Sequence, residues 1–348
     1  CCPDRGTFPA AARCGGSVSE PADAVRPDDA TAPAGARRRA PLAARLAPWL
    51  ITAACFAFLY VRIDGAARRQ GTSALPFLAS VFETVDWWTW LALMIPYSAF
   101  YFLVDSVVLW KVVSWFNARV SLGDVLPIRG ATYILSILNE QIGKGAIAYY
   151  LYRRHGVPGW QVGSSMLFIM FCEFYYLLSW ALVGAALRWE ALPAAFRMLP
   201  WLGLAAAVFL VLWILYFRGA IAPGSRLRDR DLLHAFREAR PWHYLAIVLL
   251  RSPALLAATV VYTLSLRLFG IEADFVSILG VLPLVFFGAA TPGPMRAVAV
   301  SMWVLLFPEH PAQMTAFGLV MHNFFVFFNA GIGLLLLRKA QRELFAAP

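Results

Sequence analysis

The sequence predicts an all-α fold, a polytopic integral membrane helix bundle, on three grounds. Charged residues make up 14% of its 348 positions, against roughly 25% in an ordinary soluble domain. Hydrophobic residues reach 60%, and mean hydropathy is +0.65. The charges are gathered between long apolar runs instead of being spread along them. Lipid offers an exposed peptide group no hydrogen bond, so spanning segments must close their backbone bonds internally, as helices.

Residues 1–40 are rich in Ala, Pro, Gly, Arg and Asp. Such a segment buries too little apolar surface to offset its ordering entropy, and it is expected to be a disordered tail. It ends in Arg37, Arg38 and Arg39, a basic anchor for the first span. The opening Cys1-Cys2, with no Met before it, is expected to reflect a truncated or mis-started reading frame. About 20 apolar residues cross the hydrocarbon layer as a helix. Six runs reach that length: 42–61, 88–110, 163–187, 199–217, 243–267 and 314–337. Two further apolar stretches are interrupted. Residues 125–150 are broken around Asn139, Glu140, Gln141, Gly143, Lys144 and Gly145, and residues 275–307 at Thr291-Pro292-Gly293-Pro294. Neither half of the second stretch is long enough to span, so both stretches are expected to be re-entrant or broken helices. The membrane domain is then 41–340, with a cytoplasmic tail at 341–348.

The charges test the topology. With six spans, two re-entrant segments and the N-terminus inside, 18 basic residues fall on the cytoplasmic side and 6 outside. That bias places both termini in the cytoplasm and the protein in the cytoplasmic (inner) membrane. It counts Arg129 among the cytoplasmic flanks and sets Lys144, Arg251 and Arg296 at membrane depth. Units of about 88–187 and 243–337 then both read span, broken segment, span, entered from opposite sides. Each has a Pro (Pro158, Pro311) before an aromatic-rich helix. An inverted repeat with broken segments meeting at mid-membrane is an architecture of transporters.

The net charge of +10 lies beside apolar segments, where anionic headgroups explain it without nucleic acid. The five cysteines show no metal-ligand spacing, and Cys55 and Cys172 are expected to be packing residues. No phosphate loop of Walker type and no His-Glu-x-x-His occurs. The chain is therefore expected not to be an enzyme and to need no cofactor or metal.

Polar groups at membrane depth are costly and face a bundle interior or a cavity. The candidates are Asn139, Glu140 and Lys144, with Arg153 and Arg154 after them, then Pro292, Gly293 and Arg296, and within the spans Glu173, His322 and Asn323. Prolines free carbonyls and expose a helix N-terminus, which with Arg296 would make an anion site; the other reading is an Arg that snorkels to the interface. Glu173 is deep enough to need a partner such as Lys144 or Arg251. Asp105 and Arg251 are placed near enough to helix ends to reach headgroups. His322-Asn323 fits interhelical hydrogen bonding or a binding role. Trp87, Trp88 and Trp90 read as an interfacial belt.

The stretches LNEQIGKGAIAYYLYRRHGVP at 138–158 and LPLVFFGAATPGPMRAVAV at 282–300 resemble the flippase-like membrane family that includes the transmembrane region of lysylphosphatidylglycerol synthases. Asn139, Lys144, Arg153-Arg154 and Gly156 match the first motif, and Gly288, Gly293 and Arg296 the second. The family's Pro and Gly-Glu in the first, and its Glu in the second, are missing. The resemblance spans residues 42–340 and implies a stand-alone flippase without the synthase domain. It implies movement of an anionic lipid or lipid-linked precursor, with membrane lipids as partners. The alternative is a non-transporting scaffold for a lipid-modifying or glycosyl-transferring membrane enzyme.

Overall fold

The computed structural model describes residues 42–69, 71–138, 140–187, 189–191, 197–290 and 296–345. The expected tail at 1–40, Asn139, and Thr291-Pro292-Gly293-Pro294 lie outside them. The side chains of Glu140, Gln141 and Lys144 are likewise outside the description.

Among the described residues the chain is helical, with no strands. α1 (Leu42–Arg69) leads into the short apolar α2 (Ala74–Glu83). α3 (Trp87–Phe116), α4 (Leu122–Leu138), α5 (Glu140–His155) and α6 (Gly159–Leu187) follow, then α7 (Leu199–Phe217). A basic connection carries the five-residue α8 (His234–Glu238). α9 (Pro241–Leu268), α10 (Phe275–Ala290), α11 (Ala297–Leu306) and α12 (Pro311–Phe345) complete the chain. The last helix continues through residues assigned above to a tail.

Five of these helices, α3, α6, α7, α9 and α12, are long and apolar enough to cross a membrane. They coincide with five of the six runs read from sequence. The sixth run, 42–61, lies on α1, which is not among the five. The interrupted stretches each form two shorter helices, α4 with α5 and α10 with α11, and the helices of each pair pack together. Their starts are locally encoded. Ser121 and Asp124 cap α4 reciprocally, with the Asp124 amide donating to Ser121 Oγ at 3.2 Å and the Ser121 amide donating to Asp124 Oδ2 at 3.3 Å. Asp274 accepts from the Ser277 amide at 3.1 Å at the start of α10.

Helix directions follow from the ring contacts and ion pairs. α3 lies beside α9 with Trp87 against Phe269, Tyr97 against Tyr262, and Phe116 against His243. One index rises as the other falls, so the two helices are antiparallel. α6 runs parallel to α9, since Phe168 meets Tyr244 and Trp180 donates to Ser252.

The packing partners of 87–187 and 241–345 exchange. α4 packs on α12, and α10 packs on α6. α6 also meets α9, as α12 meets α3. The exchange extends to single residues. Gly130 of α4 lies against Gly333 of α12, and Gly280 of α10 against Gly184 of α6, each at a backbone-to-backbone crossing. At Gly184 and Gly333 a Cβ would run into the facing backbone, so a side chain there would hold the helices apart.

Packing corrects the reading of one aromatic. Trp88 is exposed as a belt residue should be, but Trp90 is buried with its ring 4.8 Å from that of Phe324. It joins α3 to α12 and does not face headgroups. Cys172 is buried as expected of a packing residue.

Candidate functional site

Six helices enclose a cavity of about 480 Å³ whose lining includes most of the ionisable side chains that the bundle draws inward. On α3, Tyr97, Tyr101 and Asp105 recur every four residues and so share one face. α4 presents Arg129 and Tyr133 at the same spacing, and α12 presents His322, Phe325, Val326 and Asn329. α6 contributes Glu173 and α9 contributes Arg251. Arg296, immediately before α11, reaches the same space.

Asp105 is the hub. It is buried, and it accepts from Arg129 Nε at 2.6 Å, from the Tyr133 hydroxyl at 2.8 Å and from Arg251 Nη2 at 3.3 Å. Arg251, also buried, reaches Glu173 Oε1 through Nη1 at 3.3 Å. The Arg129 guanidinium also stands 4.7 Å from the centre of the Tyr133 ring. A continuous chain Arg129–Asp105–Arg251–Glu173 therefore joins α4, α3, α9 and α6. Removal of such charges from water is costly unless each is paired and hydrogen-bonded, which Asp105 achieves through three donors. The side chain of Glu173 keeps 40% of its surface accessible, so one end of the chain is open.

Arg296 differs. Its backbone sits in the left-handed region at φ 49°, ψ 39°, uncommon for a residue with a Cβ. Nη1 donates to the Ala289 carbonyl at 3.4 Å, which ties the start of α11 to the end of α10. Among the described residues no carboxylate lies within ion-pair distance of Arg296. Three guanidinium groups thus face two carboxylates in the cavity, and the described lining carries one uncompensated positive charge, leaving His322 aside. The buried side chains of His322 and Asn329 add atoms with no hydrogen-bond partner among the described residues: Nε2 of the first, Nδ2 and Oδ1 of the second. No His/Cys/Asp/Glu group suited to a metal occurs among the described residues.

Of the residues singled out from sequence, the cavity brings together Glu173, Arg296 and His322. Arg153 and Arg154 are exposed on the last turn of α5. Asn323 is not among the cavity-lining residues and donates to the Leu319 carbonyl of its own helix at 2.7 Å; among the described residues it makes no interhelical bond. Asn139, Pro292 and Gly293 lie outside the described residues, as do the side chains of Glu140 and Lys144. Three placements need correction. Asp105 and Arg251 do not reach headgroups, because each is the other's partner inside the bundle. Arg129 is not a cytoplasmic flank, because it turns inward to Asp105. Of the two partners foreseen for Glu173, Arg251 is the one observed. Tyr97, Tyr101, Tyr133 and Asn329 were not singled out at all. The four-residue spacing of the first two with Asp105 was the available signal.

No family model, no curated protein and no solved structure matches the chain.

Proposed function

We propose that this protein is a lipid transporter of the flippase-like kind, moving an anionic lipid or lipid-linked precursor between the leaflets of the cytoplasmic membrane. The observation that carries the reading is the cavity whose described lining holds more guanidinium groups than carboxylates. A phosphate placed there would meet Arg296, which has no carboxylate partner among the described residues. The start of α11 adjoins that Arg, and the positive end of its dipole adds to the attraction. A scaffold for a membrane enzyme would be served by a dry, closed bundle, since a polar cavity lowers its stability to no purpose.

The inverted repeat belongs to the same reading. It is supported by the antiparallel α3 and α9 and by the exchange of packing partners between 87–187 and 241–345. A two-fold axis that relates antiparallel helices lies across them, in the membrane plane. The sequences at 138–158 and 282–300 and the excess of cytoplasmic basic residues agree, with both termini inside. On this reading α4–α5 and α10–α11 are re-entrant and open to opposite faces. His155 and Glu309, both exposed at the mouths of these pairs, provide the check. Single cysteines there, with native cysteines replaced, are expected to react with an impermeant maleimide from opposite sides of the membrane. Reaction from one side alone would refute the inversion.

Transport is tested in proteoliposomes carrying fluorescent phosphatidic acid or phosphatidylcholine, with dithionite quenching of the outer leaflet. The wild-type chain is expected to move the anionic lipid, and Arg296→Gln to weaken it ten- to hundredfold, the loss of one charge-assisted contact of about 1.5–3 kcal/mol. The neutral lipid should change much less. Equal transport of phosphatidic acid by the folded variant would return Arg296 to an interfacial role.

A further inference from the structure

We infer that the α12 wall of the cavity reads hydroxyl groups, and that its ligand is a phosphodiester bearing a polyol or sugar. The inference rests on the transport reading for the lipid part of that ligand and deepens it. Asn329 has no accessible surface, yet both its Nδ2 and its Oδ1 lack partners among the described residues, and both belong to a side chain that lines the cavity. A buried polar atom left unpaired costs about 1–3 kcal/mol, so two on one side chain mark a place kept for another molecule.

The kind of molecule follows from the carboxamide. It donates through Nδ2 and accepts through Oδ1. A phosphodiester anion can only accept, and a quaternary ammonium can do neither. A hydroxyl does both, so a pair of hydroxyls, or a hydroxyl beside an ether oxygen, satisfies the whole group. His322 presents Nε2, also without a partner and also buried, seven residues earlier. Seven residues are two helical turns, a rise of about 10 Å. A bare phosphate cannot reach from one to the other, whereas a phosphate carrying a ring of hydroxyls can. Arg296 and His322 line the same cavity. The phosphate therefore belongs at the Arg296–His322 end and the hydroxyls at Asn329.

The test compares ligands of equal charge. Full-length protein in detergent micelles is titrated with dihexanoyl phosphatidylinositol and with dihexanoyl phosphatidylethanol, a phosphodiester with no free hydroxyl, and binding is read by calorimetry. The wild-type chain should bind the inositol lipid at least tenfold more tightly. Asn329→Leu, nearly the same shape without polar atoms, should lose about tenfold for the inositol lipid and little for the ethanol lipid. Equal wild-type affinities for the two lipids overturn the inference without recourse to any variant. So does a preference that Asn329→Leu keeps. Soluble inositol 1-phosphate separates this inference from the transport reading. If it binds as tightly as the lipid and depends on Asn329, hydroxyl recognition stands and the lipid assignment fails. If neither lipid nor inositol phosphate binds, both fail.

Discussion

Replacing Asp105 with Ala is expected to destabilise the folded bundle by about 3–5 kcal/mol, the usual cost of leaving a buried charge without its partner. One such charge, Arg129, would be stranded outright, and a second, Arg251, would be left with a single partner. Arg129 would lose its 2.6 Å contact, and Arg251 would keep only Glu173. The Tyr133 hydroxyl would lose its acceptor as well. The double variant Asp105→Ala/Arg129→Met should recover much of the loss, because it removes one positive charge with the negative one and leaves Arg251 paired with Glu173. Apolar replacement of a whole buried ion pair is often close to neutral. Unfolding in detergent micelles, followed by tryptophan fluorescence, gives the three stabilities. A cost below about 1 kcal/mol for the single variant would mean that cavity water screens the network as it would a surface pair.

Much of the fold is legible in the sequence because bilayer thickness converts run length into a span. The apolar run 88–110 stops before Lys111, yet α3 continues to Phe116. Lys111 accommodates this by lying over the Trp110 ring, its Nζ 4.3 Å from the centre, as a long side chain does when it carries its charge along an apolar surface. The two breaks were legible for a different reason. Polar residues around 139, and the proline pair near 293, are incompatible with an uninterrupted lipid-facing helix, and each stretch forms two helices that pack together.

The site was legible only in part. Glu173 and Arg296 stand out because a charge within an apolar run must find an interior place. Arg129 does not stand out. It follows the loop at 117–121 closely enough to look like a flanking charge, and only the rotation of α4 about its axis turns it toward Asp105. Tyr97, Tyr101 and Asn329 are invisible for a related reason, since a tyrosine or asparagine in an apolar helix serves packing and binding alike. One correspondence could have been found by aligning the halves. Gly184 follows Glu173 by eleven positions, as Gly333 follows His322. The two helices that exchange roles in the packing thus present an acid and an imidazole from matched places to one cavity.

Those two glycines give the last expected result, an asymmetry between helix glycines with no room for a methyl group and helix glycines with room for one. A Cβ at Gly184 would lie 2.2 Å from Gly280 Cα, and a Cβ at Gly333 would lie 2.2 Å from the Gly130 carbonyl oxygen. Both obstacles are backbone, which cannot move without shifting a helix. Gly184→Ala and Gly333→Ala should therefore each cost about 1–3 kcal/mol, the range for overpacking a close contact. A Cβ at Gly280 meets its nearest atom at 3.5 Å, an ordinary contact, and one at Gly331 meets nothing within 4 Å. Gly280→Ala and Gly331→Ala should be neutral or stabilising by up to about 1 kcal/mol, because alanine loses less backbone freedom in a helix. Thermal unfolding of the four variants decides it. If Gly184→Ala and Gly280→Ala behaved alike, the α6–α10 crossing would be looser than described. If Gly184→Ala and Gly333→Ala both destabilise while Gly280→Ala and Gly331→Ala do not, the two close contacts fix where α4 and α10 sit. Transport by Gly184→Ala and Gly333→Ala, measured below their melting points, should then fall as well, because α4 carries Arg129 and α10 anchors Arg296 through Ala289.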